Sequence, residues 1–234
     1  MHTMMVTRAA GAATLAGAAA LLLAVGTARA TPAPPRGEGM LYGNPAAAAE
    51  FWRYQGYDDD CVEMAVADVV GELTGRQPSE QAIVKVAQYT PSTVHPGPVY
   101  TKPKKRKPGS GTSFDDEPAL LAHYGVRAVS TDKARAANAG TPEGLNALEQ
   151  DLAKGRKVIV GVNSELIWRE PVEDKTPDGR PEADHAVVVT GVDTAAGVVH
   201  LNDSGLEQGR DEQVPIDVFA QSWATSDDQM TVTD

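Results

Sequence analysis

Three β-branched runs in the last third of the chain, Val158-Ile159-Val160-Gly161-Val162, Ala186-Val187-Val188-Val189-Thr190 and Val198-Val199-His200-Leu201, constrain the architecture most. Side chains branched at Cβ fit a pleated surface, and the turn-rich stretches between the runs let neighbouring strands reverse, so an antiparallel sheet is expected. Ahead of them the pattern is helical. Val62, Ala65, Val66, Val69, Val70 and Leu73 fall on one broad face of a helix from Cys61 to about Thr74, with Asp60 as its cap and Gly75 as its stop. Ser79 caps a second helix to about Tyr89, Ser113 to His123 forms a third, and Thr141-Pro142-Glu143 opens another that closes at Gly155. Val126 to Ser130 reads as extended, Pro215 to Trp223 as a short helix and Met230 to Val232 as a last strand. Helices first and strands afterwards define an α+β protein, not a series of βαβ units.

The 234 residues divide unevenly. Arg8, an apolar run from Ala9 to Val25 and the small-x-small site Ala28-Arg29-Ala30 mark residues 1–30 as a signal peptide, retention as an anchor being the alternative. The following Pro- and Gly-rich stretch, 31–45, reads as a flexible lead-in to a domain over 46–234. The export signal places the mature protein outside the cytoplasm, secreted or in the cell envelope. Nothing after the signal is long and apolar enough to be an integral membrane span. Loss of Arg8 and Arg29 with the signal takes the formal net charge from −11 to −13, which disfavours nucleic acid and anionic membranes as general partners. Between about 90 and 113, five prolines and the basic run Lys104-Lys105-Arg106-Lys107 read as a long solvated surface loop, with contact to an anionic cell-wall polymer as its alternative role.

A secreted domain commonly uses cysteines in pairs, yet Cys61 stands alone, so no internal disulfide exists. An inert buried thiol is the bland reading. The other reading is a nucleophile, since Cys61 begins a helix, where unpaired N–H groups and the macrodipole favour negative charge. Asp58, Asp59 and Asp60 oppose that unless they point away, so a histidine is needed. His95 lies in the Pro-rich loop and His123 near a helix end. With the last hairpin centred on Ala195, paired positions sum to about 390, which sets Asp203 opposite Val187 and diagonal to His185, with His200 on the other face. Asp203 can then accept the imidazole N–H and orient His185 beside Cys61. Gln55, six residues before Cys61, can return through Gly56 to Asp60 and offer its amide, with the Cys61 backbone N–H, as an oxyanion hole.

Gln55 with Cys61 at a helix start, Val158-Ile-Val-Gly-Val, Asp184-His185-Ala-Val-Val-Val-Thr-Gly, Val199-His-Leu-Asn-Asp203, and Phe219 and Trp223 in the closing helix together resemble the bacteriocin-processing cysteine peptidase-like family of the papain superfamily, from about residue 50 onwards. The resemblance implies a papain-like cysteine peptidase fold. An N-terminal helical lobe would carry Cys61 as nucleophile, and a C-terminal antiparallel sheet lobe would carry His185 as base and acid and Asp203 as its orienting partner. Gln55 would be the oxyanion donor. One departure is Val62-Glu63, where the family commonly has Gly-Pro after the nucleophile; these positions shape the cleft wall, so catalysis carries over and the family's usual substrate does not. With no transporter or ATP-binding module, neither does its leader-peptide clipping. A thiol hydrolase of peptide or amide bonds is therefore expected. The competing functions are a non-catalytic binding module and a thiol acyltransferase or wall-directed amidase. No cofactor is expected, and without HExxH or a cysteine pair metal binding ranks lower still. Trp168 and Glu165 follow the Val158 strand and read as a packing and a solvent-facing residue, with cleft lining as the alternative.

Overall fold

The structure, a computed structural model, describes residues 39–104 and 110–234. The signal peptide, residues 31–38 of the lead-in and Lys105 to Lys107 of the basic run lie outside the described residues.

The chain enters through strand β1 (Leu41–Gly43) and short helix α1 (Pro45–Ala48), so the end of the stretch read as a flexible lead-in is ordered. Helices α2 (Cys61–Thr74), α3 (Glu80–Tyr89) and α4 (Glu117–His123) follow, then β2 (Ala128–Thr131), α5 (Lys133–Ala139) and α6 (Gly144–Ala153). The remainder is β3 (Val158–Val162), α7 (Ser164–Trp168), β4 (His185–Asp193), β5 (Val198–Asn202), β6 (Glu212–Pro215), α8 (Ile216–Trp223) and β7 (Met230–Thr233).

Among the described residues seven strands form one antiparallel sheet, six of them in the order β2-β7-β3-β4-β5-β6. β1 continues the position of β3 along the far half of β4. Ile159, Ala186 and Val188 face α2, α3 and α4, whereas Val158, Val160, Val187, Val189 and Leu201 face α6 and α8. Covered on both faces, β3 and β4 read as near-continuous apolar runs, a pattern otherwise typical of parallel sheets. The expected helical lobe is thus a layer laid directly on the sheet, and two strands, β1 and β2, come from ahead of the last third of the chain.

Two expectations about α2 meet different outcomes. Gly75 ends it in the left-handed region at φ 69° and returns its N–H to Gly71 O, as a C-terminal glycine should. Asp60 stands at the cap position, but its carboxylate makes no capping bond and is fully buried. The helix is buried from Val62 to Gly71, including Glu63 and Asp68, so it is a core element and not an amphipathic surface one. The stretch 90–113 also departs from a plain surface loop. Val99, Tyr100 and Thr112 are buried, Thr112 donates to the Glu63 carboxylate, and Tyr100 Oη donates to Asp59 at 2.8 Å.

The β4–β5 hairpin carries a correction that cancels itself. Its turn is half a residue further on than expected, pairing Asp193 with Val198 and Val192 with Val199. A bulge at Thr190 then shifts the register by one, so Val189 meets Leu201 and Val188 meets Asn202, the pairing inferred from the sequence. Without the bulge Asp203 would fall opposite Val188, on the other face. Among the described residues no helix is long and apolar enough to cross a membrane.

Candidate active site

An open cleft of about 1290 Å³ runs between the start of α2 and the sheet, and Gln55, Cys61 and His185 line it. Cys61 is half-buried at the first residue of α2, and His185 is buried at the first residue of β4. Asp203 follows β5 and is fully buried.

His185 Nε2 lies 2.7 Å from Asp203 Oδ1. That commitment leaves Nδ1 as the ring nitrogen available to the Cys61 thiol, which acts on the ring by hydrogen bond and charge. Burial alone would lower the imidazole pKa; the Asp203 charge and hydrogen bond outweigh it, Cys61 adds in the same sense, and the ring is held well above its ordinary value. Asp203 mirrors this. Burial would raise its carboxyl, but the His185 charge and hydrogen bonds from His185, Trp168 and the Gly205 N–H hold it below its ordinary value.

Three of these supports were not foreseen. Trp168, at the end of α7, donates Nε1–H to Asp203 Oδ2 at 2.9 Å, and its ring tilts over His185 at 5.5 Å between centroids. Trp52 Nε1–H donates to the Asp203 backbone carbonyl at 2.6 Å, and Gly205 N–H donates to Asp203 Oδ1 at 2.7 Å. The packing reading of Trp168 therefore misses its hydrogen bond. Asp203-Ser204-Gly205 is a small-residue turn, and that much was available as a signal.

Gln55 is fixed at both ends of its amide. Its Nε2 donates to Tyr57 O at 2.8 Å, and its Oε1 accepts from Ser204 Oγ at 2.8 Å. Because a backbone carbonyl only accepts, the orientation is determined, and one amide N–H remains beyond the bond to Tyr57. The carboxylates feared beside the thiol are disposed harmlessly: Asp58 is exposed and Asp59 accepts from Tyr100. Burial, reinforced by Glu80 and Glu63, pushes Asp60 up to about 8.

His95, set aside in the sequence as a loop residue, lines the cleft. His123 does not, and His200 bonds Asp211 at 2.7 Å, away from the site. Glu165 is buried, correcting the solvent-facing reading; it accepts from Asn163 and from the Glu173 and Asp174 backbone N–H groups. Glu165, Asp174 and Asp184 bring carboxylate oxygens within 4.8 Å of one another, a grouping with the donor chemistry to approach one cation.

The model of the family described as Peptidase_C39 like family matches residues 44–231. The uncharacterized proteins Mb1299c of Mycobacterium bovis and Rv1268c of Mycobacterium tuberculosis are each 59% identical over 198 residues, covering 83% of this chain and 85% of theirs. Among solved structures, a Bacillus anthracis protein described as C39-like peptidase is similar in fold, with TM-score 0.58 and 16% identity over 83% of this chain and 98% of that one.

Proposed function

The chain belongs to the Peptidase C39-like family, and from that premise we propose that it is an extracytoplasmic, papain-like thiol hydrolase of peptide or amide bonds. The observation that carries this reading is the His185 ring, bonded to Asp203 through Nε2 and near enough to Cys61 for the thiol to act on it, with both residues lining one open cleft. In the proposed reaction His185 holds the thiol proton, and the Cys61 thiolate attacks the carbonyl carbon, forming a C–S bond. The oxygen of the tetrahedral intermediate takes its charge toward the Cys61 N–H and the remaining Gln55 amide N–H. His185 gives its proton to the departing nitrogen, the C–N bond breaks, and the amine leaves a thioester. Water then loses a proton to His185 and attacks that thioester; the C–S bond breaks, the acid departs and the thiol is restored. Asp203 keeps the ring in one tautomer and stabilises the imidazolium.

Incubation with a mixed peptide library tests the proposal. New termini in wild-type digests that are missing with Cys61→Ser support it. Identical digests from the two proteins would leave the fold without the chemistry, and a Cys61-dependent product in which an acyl group has passed to an amine would favour acyl transfer over hydrolysis.

A further inference from the structure

The cleft that receives the substrate in this reading has two walls of unlike chemistry. On the α2 side Asp58, Asp59 and Glu80 line it, but two of the three are already engaged: Asp59 by Tyr100 Oη and Glu80 by the Gly56 N–H at 2.5 Å. Behind that wall, outside the cleft lining, an ammonium of this chain packs on Tyr57. Lys102 Nζ lies 4.1 Å from the Tyr57 ring centroid and hydrogen-bonds its hydroxyl, so Tyr57 accommodates a lysine head group through its aromatic face.

The wall beside His185 carries Glu165, Glu170, Glu173, Asp174 and Asp184; Glu165 already accepts from Asn163 and two backbone N–H groups and Asp184 from Ser164, so the carboxylates left open among the described residues are Glu170, Glu173 and Asp174. Among the described residues no Lys or Arg lines the cleft, and none of these five carboxylates is in a salt bridge. Four of them are exposed. The Asp174 carboxyl is pushed up by burial and by the neighbouring Asp184 and Glu165 charges. A concave site lined by one sign of charge concentrates the field within it and raises the local concentration and on-rate of the opposite charge.

Resting on the hydrolase reading, we infer that the cleft selects cationic peptides, with Lys or Arg on the amine side of the scissile bond. The side follows from the geometry. Gln55 and the Cys61 N–H draw the carbonyl oxygen to the α2 wall, while the leaving nitrogen must face His185, so the residues following that nitrogen run along the carboxylates of the other wall. Asp174, close to the Ser164-bound Asp184 that precedes His185, lies where the first of those side chains would pass, and an ammonium or guanidinium there supplies a charge that no described residue gives this wall.

Binding can be read without catalysis. Acetylated heptapeptides alike except for three Lys, three Gln or three Glu are titrated against Cys61→Ala protein by calorimetry. At about 20 mM ionic strength the Lys peptide should bind roughly tenfold tighter than the Gln peptide, the Glu peptide weakest, and the preference should shrink several-fold at about 300 mM as screening shortens the reach of the charges. Glu170→Gln, Glu173→Gln and Asp174→Asn together, in the Cys61→Ala background, should abolish most of it. Equal binding of the three peptides, or a preference that survives this neutralisation, overturns the inference.

Hydrolysis by active protein then separates the two claims. Gln peptides cut as fast as Lys peptides would sink the cation preference and leave the hydrolase standing. A Lys peptide bound preferentially yet never cut would do the reverse. A preference expressed through Lys before the cleaved bond, and not after it, would overturn the assignment of the amine side.

Discussion

His185 has one nitrogen committed to Asp203, and its ring is buried in close-packed surroundings. Gly205 shows how tight that is: a Cβ there would stand 2.8 Å from Trp168 Cζ2 and 3.1 Å from His185 Cε1 and Nε2. Its φ is not among the positive ones, so Gly205→Ala adds crowding with no left-handed backbone strain. Displacing a proton-transfer group by a fraction of an ångström should lower turnover by roughly 10- to 100-fold with little loss of stability, measured by kcat and urea midpoint on one preparation. Unchanged turnover would mean that the ring tolerates displacement. Gln55→Ala offers a second discrimination. Turnover should fall by roughly 10²–10³, while alkylation of Cys61 by a haloacetamide, which develops no oxyanion, should stay near wild type. A parallel fall in both would make Gln55 a structural residue, through its bonds to Tyr57 and Ser204. The grouping of Cys61, His185, Asp203 and Gln55 was legible because each belongs to a helix start, a strand or a short sequence spacing. Trp168 and Trp52 were not, since their bonds to Asp203 span 35 and 151 residues and an indole carries no local sign of its partner.

Among the elements, α2 and α3 were readable to within a residue because Gly75 and Ser79 terminate or cap them by local chemistry. The short pieces α7 and β6 were not, since neither is long enough to display a period. Nor was the burial of Val99 and Tyr100, which prolines and lysines on either side disguise. The bulge at Thr190 was equally hidden, and the correct register leading up to Asp203 rested on two errors, the turn centre and the missing bulge, that cancelled. α7 bears on the site through Trp168. Asn163 caps it, accepting from Leu166 N at 3.1 Å, while its amide donates to Glu165 and to the Glu182 carbonyl, both at 2.8 Å. Asn163→Ala should therefore cost about 1–2 kcal/mol in chemical denaturation, in the upper range for a helix cap, and lower turnover by loosening Trp168 over Asp203. A stability loss without any kinetic change would separate α7 from the site.

At the scale of the whole molecule, the core contains acids that burial keeps protonated: Asp60, Asp68 and Glu117 are pushed up to about 8 and Glu63 to about 7. Their folded pKa exceeds the unfolded one, so the folded state binds more protons above pH 4, and the stability they confer is lost as the pH rises towards 8. His185, also raised, acts in the same direction. The melting temperature should fall steadily between pH 5 and pH 8.5, and Glu117→Gln, which keeps the shape of a fully buried side chain without its proton equilibrium, should flatten part of the slope. A melting temperature that climbs over that range would contradict the burial of these groups. Export is tested at the other end of the chain: N-terminal sequencing of culture-filtrate protein should start at Thr31, and intact Met1 confined to the cytoplasm would refute it. The central claim is that folding brings His185 from one part of the chain to activate Cys61 from another. The rate of Cys61 alkylation by iodoacetamide across pH, in wild type and His185→Ala, measures that without any knowledge of substrate. The account predicts fast alkylation at neutral and mildly acidic pH in wild type, and in His185→Ala a much slower reaction that recovers only as the pH is raised. Superimposable profiles would contradict it.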